Sequence, residues 1–111
     1  MWLLRDGEVL AAAEMADSLL ARNKGLIGRS GFEGAFLIPH TSGALHSFGM
    51  RFALDVAFLD RDLAVVDTLH LSPWHITRPR RRCRTVLEAQ SGAFERWRLR
   101  PGDRLELHDP Q

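Results

Sequence analysis

The sequence predicts a mainly β domain (α+β by strict count): an antiparallel β-sandwich or barrel-like sheet with one short helix packed on it. Three observations predict it. Short β-rich runs recur along the chain with turn residues between them. One stretch alone, near residues 18–27, has helical spacing. There is no strand–helix–strand rhythm and no internal repeat, which argues against a doubly wound parallel sheet or a solenoid. At 111 residues the chain can bury one modest core and is too short for two, so residues 1–111 read as a single domain.

Taken in order, Trp2–Leu4 and Glu8–Ala13 flank Arg5-Asp6-Gly7, and Asp-Gly between apolar runs is a strong hairpin signal. Asp17 or Ser18 suits a helix N-cap; Leu19, Leu20, Asn23 and Ile27 follow near helical spacing. Arg22 and Lys24 fall in its last turn, where cations complement the helix dipole, and Gly25 or Gly28 can end it. Ala35–Ile38 is an apolar strand closed by Pro39, and Ala44–Phe48 is a further extended piece. Leu54–Leu59 and Leu63–Leu71 read as strands joined by the turn Asp60-Arg61-Asp62. Residues 72–83 form a Pro- and Arg-rich loop within the domain. Thr85–Ala89 and Arg104–His108 complete the strands, the last alternating charged and apolar residues as a half-buried strand does. Before it, Pro101-Gly102 predicts a type II turn, with Asp103 bonding the turn's backbone amides.

Composition sets the limits on function. The apolar fraction of 45% and charged fraction of 26% are those of an ordinary globular domain, and the net charge of +1 provides no global pull toward nucleic acid or membrane. Fourteen of the fifteen basic residues are Arg, Lys24 being the exception, a bias that fits a GC-rich bacterial genome. No apolar run approaches the ~18–20 residues of a bilayer-spanning helix, and residues 1–7 lack the pattern of a signal peptide. A single cysteine, Cys83, can form no internal disulfide. The expected location is therefore cytoplasmic. Phosphate-binding glycine loops and the Gly-x-Ser-x-Gly elbow are missing. His40, His46, His70, His75 and His108 fall into no metal-ligand spacing, so neither metal nor cofactor is expected.

Two constellations remain. Arg78, Arg80, Arg81, Arg82 and Arg84 place five arginines in seven residues, just after Trp74 and His75. As a functional loop they would bind anions, with an aromatic ring for stacking; as a bland one they pair with the domain's own acids or stay solvated. The near-zero net charge weighs against nucleic acid. Cys83 sits among these arginines, and packing accounts for a lone thiol better than catalysis with His75 does. The second constellation is Arg29, Asp55 and Glu88, charged residues set in apolar runs. They form either a polar cleft or an ion-pair network that fixes the fold, and burial of unpaired charge favours the network.

These residues also carry a resemblance. Gly25-Leu26-Ile27-Gly28-Arg29, then His46 to Asp60, then Leu87-Glu88-Ala89-Gln90-Ser91-Gly92, then Pro101-Gly102-Asp103 resemble the four boxes of the Domain of Unknown Function 192 family, over roughly residues 9–108. Ala53 stands where many members have Pro and His46 where they have Trp; the second departure alters what a pocket beside that strand would recognise. The resemblance implies a compact, mainly β fold with one helix and supplies no catalytic residue. The reading that follows is a small non-enzymatic binding or accessory module, with a shallow polar site near Arg29, His46, Asp55 and Glu88 and a small molecule or another protein as partner. The alternatives are a small acid/base enzyme using Asp55 or Glu88 with His46, and nucleic-acid binding through Arg78–Arg84.

Overall fold

A computed structural model describes residues 1–16, Leu26, Arg29 and 31–110. The helix expected over residues 18–27 lies outside them. Among the described residues seven strands and one short helix follow in order: β1 (Trp2–Arg5), β2 (Glu8–Met15), β3 (Ala35–Pro39), β4 (Leu54–Leu59), β5 (Val65–Leu71), β6 (Thr85–Gln90), α1 (Ala93–Trp97) and β7 (Glu106–His108). The strands form one sheet in the order β5-β4-β6-β3-β2-β1-β7. The domain is thus mainly β, as the sequence predicts, and its described helix, α1, is a different one from that expected over residues 18–27.

Two features depart in detail from an antiparallel sandwich or barrel. The β2–β3 pair is parallel, with Ala13, Glu14 and Met15 opposite Ala35, Phe36 and Leu37. Parallel neighbours need a connection of a dozen residues or more, and residues 16–34 are long enough to provide it. The sheet is also not closed. Its two edges approach where the chain entering β7 meets the start of β5: Ala64 bridges Arg104, and Leu105 N–H donates to Leu63 O at 2.9 Å. A single bridge is not a ladder, so the barrel remains open.

The hairpin β1–β2 turns on Asp6 and Gly7 at φ 51° and 79°, the positive pair that a two-residue type I′ turn requires. Arg5 secures it to the far end of the chain, donating to Trp97 O at 2.6 Å and to the Asp103 carboxylate at 3.0 Å. The predicted turn at Pro101-Gly102 is present: Gly102 sits at φ 96°, and Asp103 Oδ2 accepts the Arg100 N–H at 3.1 Å.

Because side chains alternate across a strand, the sheet has two apolar faces. Leu3, Leu37, Ala57, Leu59, Leu87 and Ala89 line one, covered by Phe94 of α1, Leu99 and Leu105. Phe36, Leu54, Val56, Phe58 and Val86 line the other, covered by Leu26, Phe32, Leu45 and Cys83. β4, between β5 and β6, is buried along its whole length. Over the second face residues 41–48 run alongside 74–84. Thr41 N–H donates to Arg84 O (3.1 Å), Arg80 N–H to Ser42 O (2.9 Å), Thr77 N–H to Leu45 O (2.8 Å) and Ser47 N–H to His75 O (2.8 Å). The extended piece expected at 44–48 is therefore half of an irregular ribbon, with one β-bridge between His46 and Ile76.

Candidate functional site

Asp55 and Glu88 are the two acids in the central strands, and the register separates them. Asp55 lies opposite Ala89 of β6, whereas Glu88 lies opposite Val56 of β4. Alternation then points Asp55 into the face covered by α1 and Glu88 into the other. The sheet lies between the two carboxyls.

Asp55 is 8% exposed and its Oδ2 accepts the N–H groups of Gly92 (3.0 Å) and Phe94 (3.1 Å). The N-cap position of α1 is Gly92, which has no side chain to bond the free amides of the first turn. Asp55 supplies the missing cap from a neighbouring strand. Beside it an open depression of about 390 Å³ is lined by Asp55, Leu69, His70, Ser91 and Glu95 among others. His70 and Ser91 lie 3.1 Å apart through Nε2 and Oγ.

Glu88 is 6% exposed, and its Oε1 is buried without a hydrogen-bond partner. Burial alone pushes its carboxyl from the ordinary 4.5 up to about 7. The cross-strand row through it reads Glu14 (β2), Phe36 (β3), Glu88 (β6), Val56 (β4). Arg29 reaches this row: its guanidinium lies 5.5 Å from the ring centres of both Phe32 and Phe36 and bonds Glu14 at 2.8 Å. Among the described residues Arg29 pairs with Glu14, and neither Asp55 nor Glu88 is joined to it. The three expected charges therefore form no common ion-pair network.

His46 belongs to the ribbon. Its ring stacks on Phe48 (5.0 Å between centres), which stacks on Trp74 (5.8 Å). Of the four candidate polar residues, Arg29 and Glu88 share one face near Phe36; His46 and Asp55 stand elsewhere. Phe48 was not anticipated from sequence. It lies in the turn closed by Met50 N–H donating to Ser47 O at 3.0 Å, and its own N–H donates to His46 Nδ1 at 3.3 Å, so strand alternation gave no signal for the stack.

The arginines of 78–84 divide. Arg80 donates to Asp67 Oδ2 at 3.1 Å and lies 4.1 Å from the Phe58 ring centre, so it is tied to the core. Arg78, Arg81, Arg82 and Arg84 are exposed. Cys83 is buried under this loop and desolvation raises its thiol pKa, opposite to what a nucleophilic thiolate needs. Among the described residues no three His, Cys, Asp or Glu side chains converge as metal ligands, and no helix is long and apolar enough to cross a membrane.

A small mainly β domain with one buried acid on each face of its sheet defines a class by architecture more than by chemistry. The comparisons locate it further. Residues 2–107 match the model of the family DUF192, described as an uncharacterized ACR, and this chain belongs to that family. The UPF0127 protein PH1112 of Pyrococcus horikoshii is 32% identical over 105 residues, covering 91% of this chain and 88% of the relative. The UPF0127 protein PF1050 of Pyrococcus furiosus is 32% identical over 103 residues, covering 89% of each. A crystal structure of a protein of unknown function from Novosphingobium aromaticivorans shares the fold, with a TM-score of 0.76 at 22% identity over 86% of this chain and 74% of that one. The family has no assigned activity.

Proposed function

We propose that this chain is a non-enzymatic binding module that takes a small polar ligand against the Glu88 face of its sheet. One observation carries the reading: Glu88 Oε1 is buried and unpartnered. A buried polar atom without a partner costs about 1–3 kcal/mol, and native proteins keep few of them. A ligand that offers an N–H or O–H donor would satisfy it. Arg29, with its side chain 41% exposed and its guanidinium against Phe32 and Phe36, supports the reading by setting a cation on the same face. Asp55 enters only as the cap of α1. The unpaired buried thiol of Cys83 suits the reducing cytoplasm.

The second reading is an acid/base enzyme built on Glu88. A carboxyl that titrates near 7 can both give and take a proton at neutral pH. His46, however, is engaged in the aromatic stack and its Nδ1 accepts the Phe48 N–H at 3.3 Å. A thermal-shift screen of small polar molecules separates the readings. A binder should raise the melting temperature of the natural chain and not that of Glu88→Leu. A compound that is also consumed, in a Glu88-dependent way, would move the enzyme to first place. Equal shifts in both proteins would remove Glu88 from the site.

A further inference from the structure

The ribbon of residues 41–48 and 74–84 plays no part in the Glu88 site, and its charge is unlike that of the rest of the chain. Residues 34–54 and 68–87 contain six Arg and no Asp or Glu. The remainder holds nine basic and fourteen acidic residues, so the net charge of +1 conceals a strongly cationic part and an anionic one. The ribbon's backbone bonds bring residues 41–48 and 74–84, far apart in sequence, alongside each other, and these two pieces alone hold five of the six arginines and no acid.

Aromatic rings lie at one end of that surface. Trp74 is 68% exposed and Phe48 46%, and they stack with an interplanar angle of 28°. Exposed apolar rings cost free energy in water, and here they are also held in place. Trp74 sits at φ 64°, a left-handed conformation that a bulky L-residue adopts only under constraint. The constraint is visible. Ser47, 2% exposed, accepts the His75 N–H at 2.8 Å and donates to Ser72 O at 2.6 Å, while its own carbonyl takes the Trp74 N–H at 3.0 Å. Buried Thr77 ties the strands again, donating to Gly43 O at 2.6 Å. Toward the other end Arg78, Arg81, Arg82 and Arg84 are exposed.

We infer that this ribbon binds single-stranded nucleic acid, with bases stacking on Trp74 and Phe48 and phosphates running toward the exposed arginines of 78–84. Stacking on a side chain needs an unpaired base, which excludes the interior of a duplex. Neither segment carries a carboxylate of its own, and Asp67, which reaches the ribbon from β5, is paired with Arg80 and leaves the other arginines open to phosphate. An acidic protein partner would satisfy the arginines and leave the rings unexplained.

The test is fluorescence anisotropy of the full chain with fluorescein-labelled single-stranded RNA and DNA of about 12 nucleotides, within the usual site size of such surfaces. A duplex of equal length and heparin are the comparisons. Binding of a single strand in preference to duplex is expected, and the RNA and DNA arms assign the sugar. Trp74→Gly should weaken binding at least about fivefold, because a base–aromatic stack is worth that much or more. The same substitution relieves the positive φ, so its melting temperature should hold or rise. Trp74→Phe keeps a ring and should bind within about threefold of the natural chain. Arg78→Ala with Arg81→Ala should flatten the dependence of log K on log salt by about 1.4, two phosphate contacts' worth on a single strand. The inference is overturned by absence of binding at ~100 µM protein in low salt, weaker than ordinary non-specific association. Duplex, heparin and single strand competing equally, with Trp74→Gly unchanged, would overturn it too, leaving only a charged loop.

Discussion

Two carboxyls embedded in apolar strands meet different fates at the residue scale. Asp55 accepts two backbone amides at the start of α1, and charge-assisted bonds of this kind are among the stronger ones a protein makes. Asp55→Ala should therefore cost about 3 kcal/mol and lower the melting temperature by roughly 10 °C or more. Asp55→Asn, which keeps an acceptor oxygen, should recover part of the loss. Circular-dichroism melts of the three proteins decide it, and an unchanged midpoint for Asp55→Ala would refute the capping role. Glu88 accepts nothing at Oε1. Its pKa is higher folded than unfolded, so between 4.5 and about 7 the folded chain holds a proton that the unfolded chain releases. Stability is full below 4.5 and falls as pH rises through 7, by up to about 3 kcal/mol for a shift of this size. Glu88→Gln lacks this titration and should fall less than the natural chain across that window. Denaturant titrations at pH 5 and pH 8 compare the two; parallel pH profiles would mean that Glu88 does not titrate as stated.

At the scale of elements, short pieces are held by groups outside themselves. α1 has five residues, too few to persist alone. It stands because Asp55 caps it, Phe94 packs beneath it and Arg5 bonds the Trp97 carbonyl at its end. The turn before β7 is similar, since Arg5 and the Arg100 amide both bond the Asp103 carboxylate. Gly102 has open space around its α-carbon yet lies at φ 96°. Gly102→Ala meets no clash and still adopts a backbone that L-residues avoid, which should cost about 1–2 kcal/mol. A melting temperature equal to that of the natural chain would show that the turn relaxes without loss.

Over the whole molecule stability should be graded from the sheet's middle to its rim. β4 is covered on both faces and hydrogen-bonded on both sides, by β5 and β6. β7 has three residues, pairs β1 alone among the described strands and shows two exposed side chains. Amide hydrogen exchange should follow that gradient, because amides bonded within the doubly covered centre open only with global unfolding. The bonded amides of β4 and β6 are expected to exchange last and those of β7 orders of magnitude sooner. Uniform protection across the sheet would mean that the Ala64–Arg104 bridge couples both edges into one cooperative unit.

Local chemistry determined much of this fold from sequence alone. Asp6-Gly7 fixed a hairpin because few dipeptides take two positive φ angles, and Pro101-Gly102 fixed a turn for a related reason. The run Leu54–Leu59 read as a strand from its β-rich composition, and the structure places it between β5 and β6, buried along its whole length. The helix α1 left no signal, since five residues span little more than one turn and its cap comes from Asp55, far away in the chain. The sign of the β2–β3 pairing depends on the path of residues 16–34, which no strand pattern records. The site was legible as residues and not as an assembly. Arg29, His46, Asp55 and Glu88 could be named as charged or polar groups in apolar settings, but only the register puts Asp55 and Glu88 on opposite faces. Tertiary structure likewise joins two acid-free segments into one cationic aromatic ribbon, because a sum over the sequence gives total charge and not where it collects.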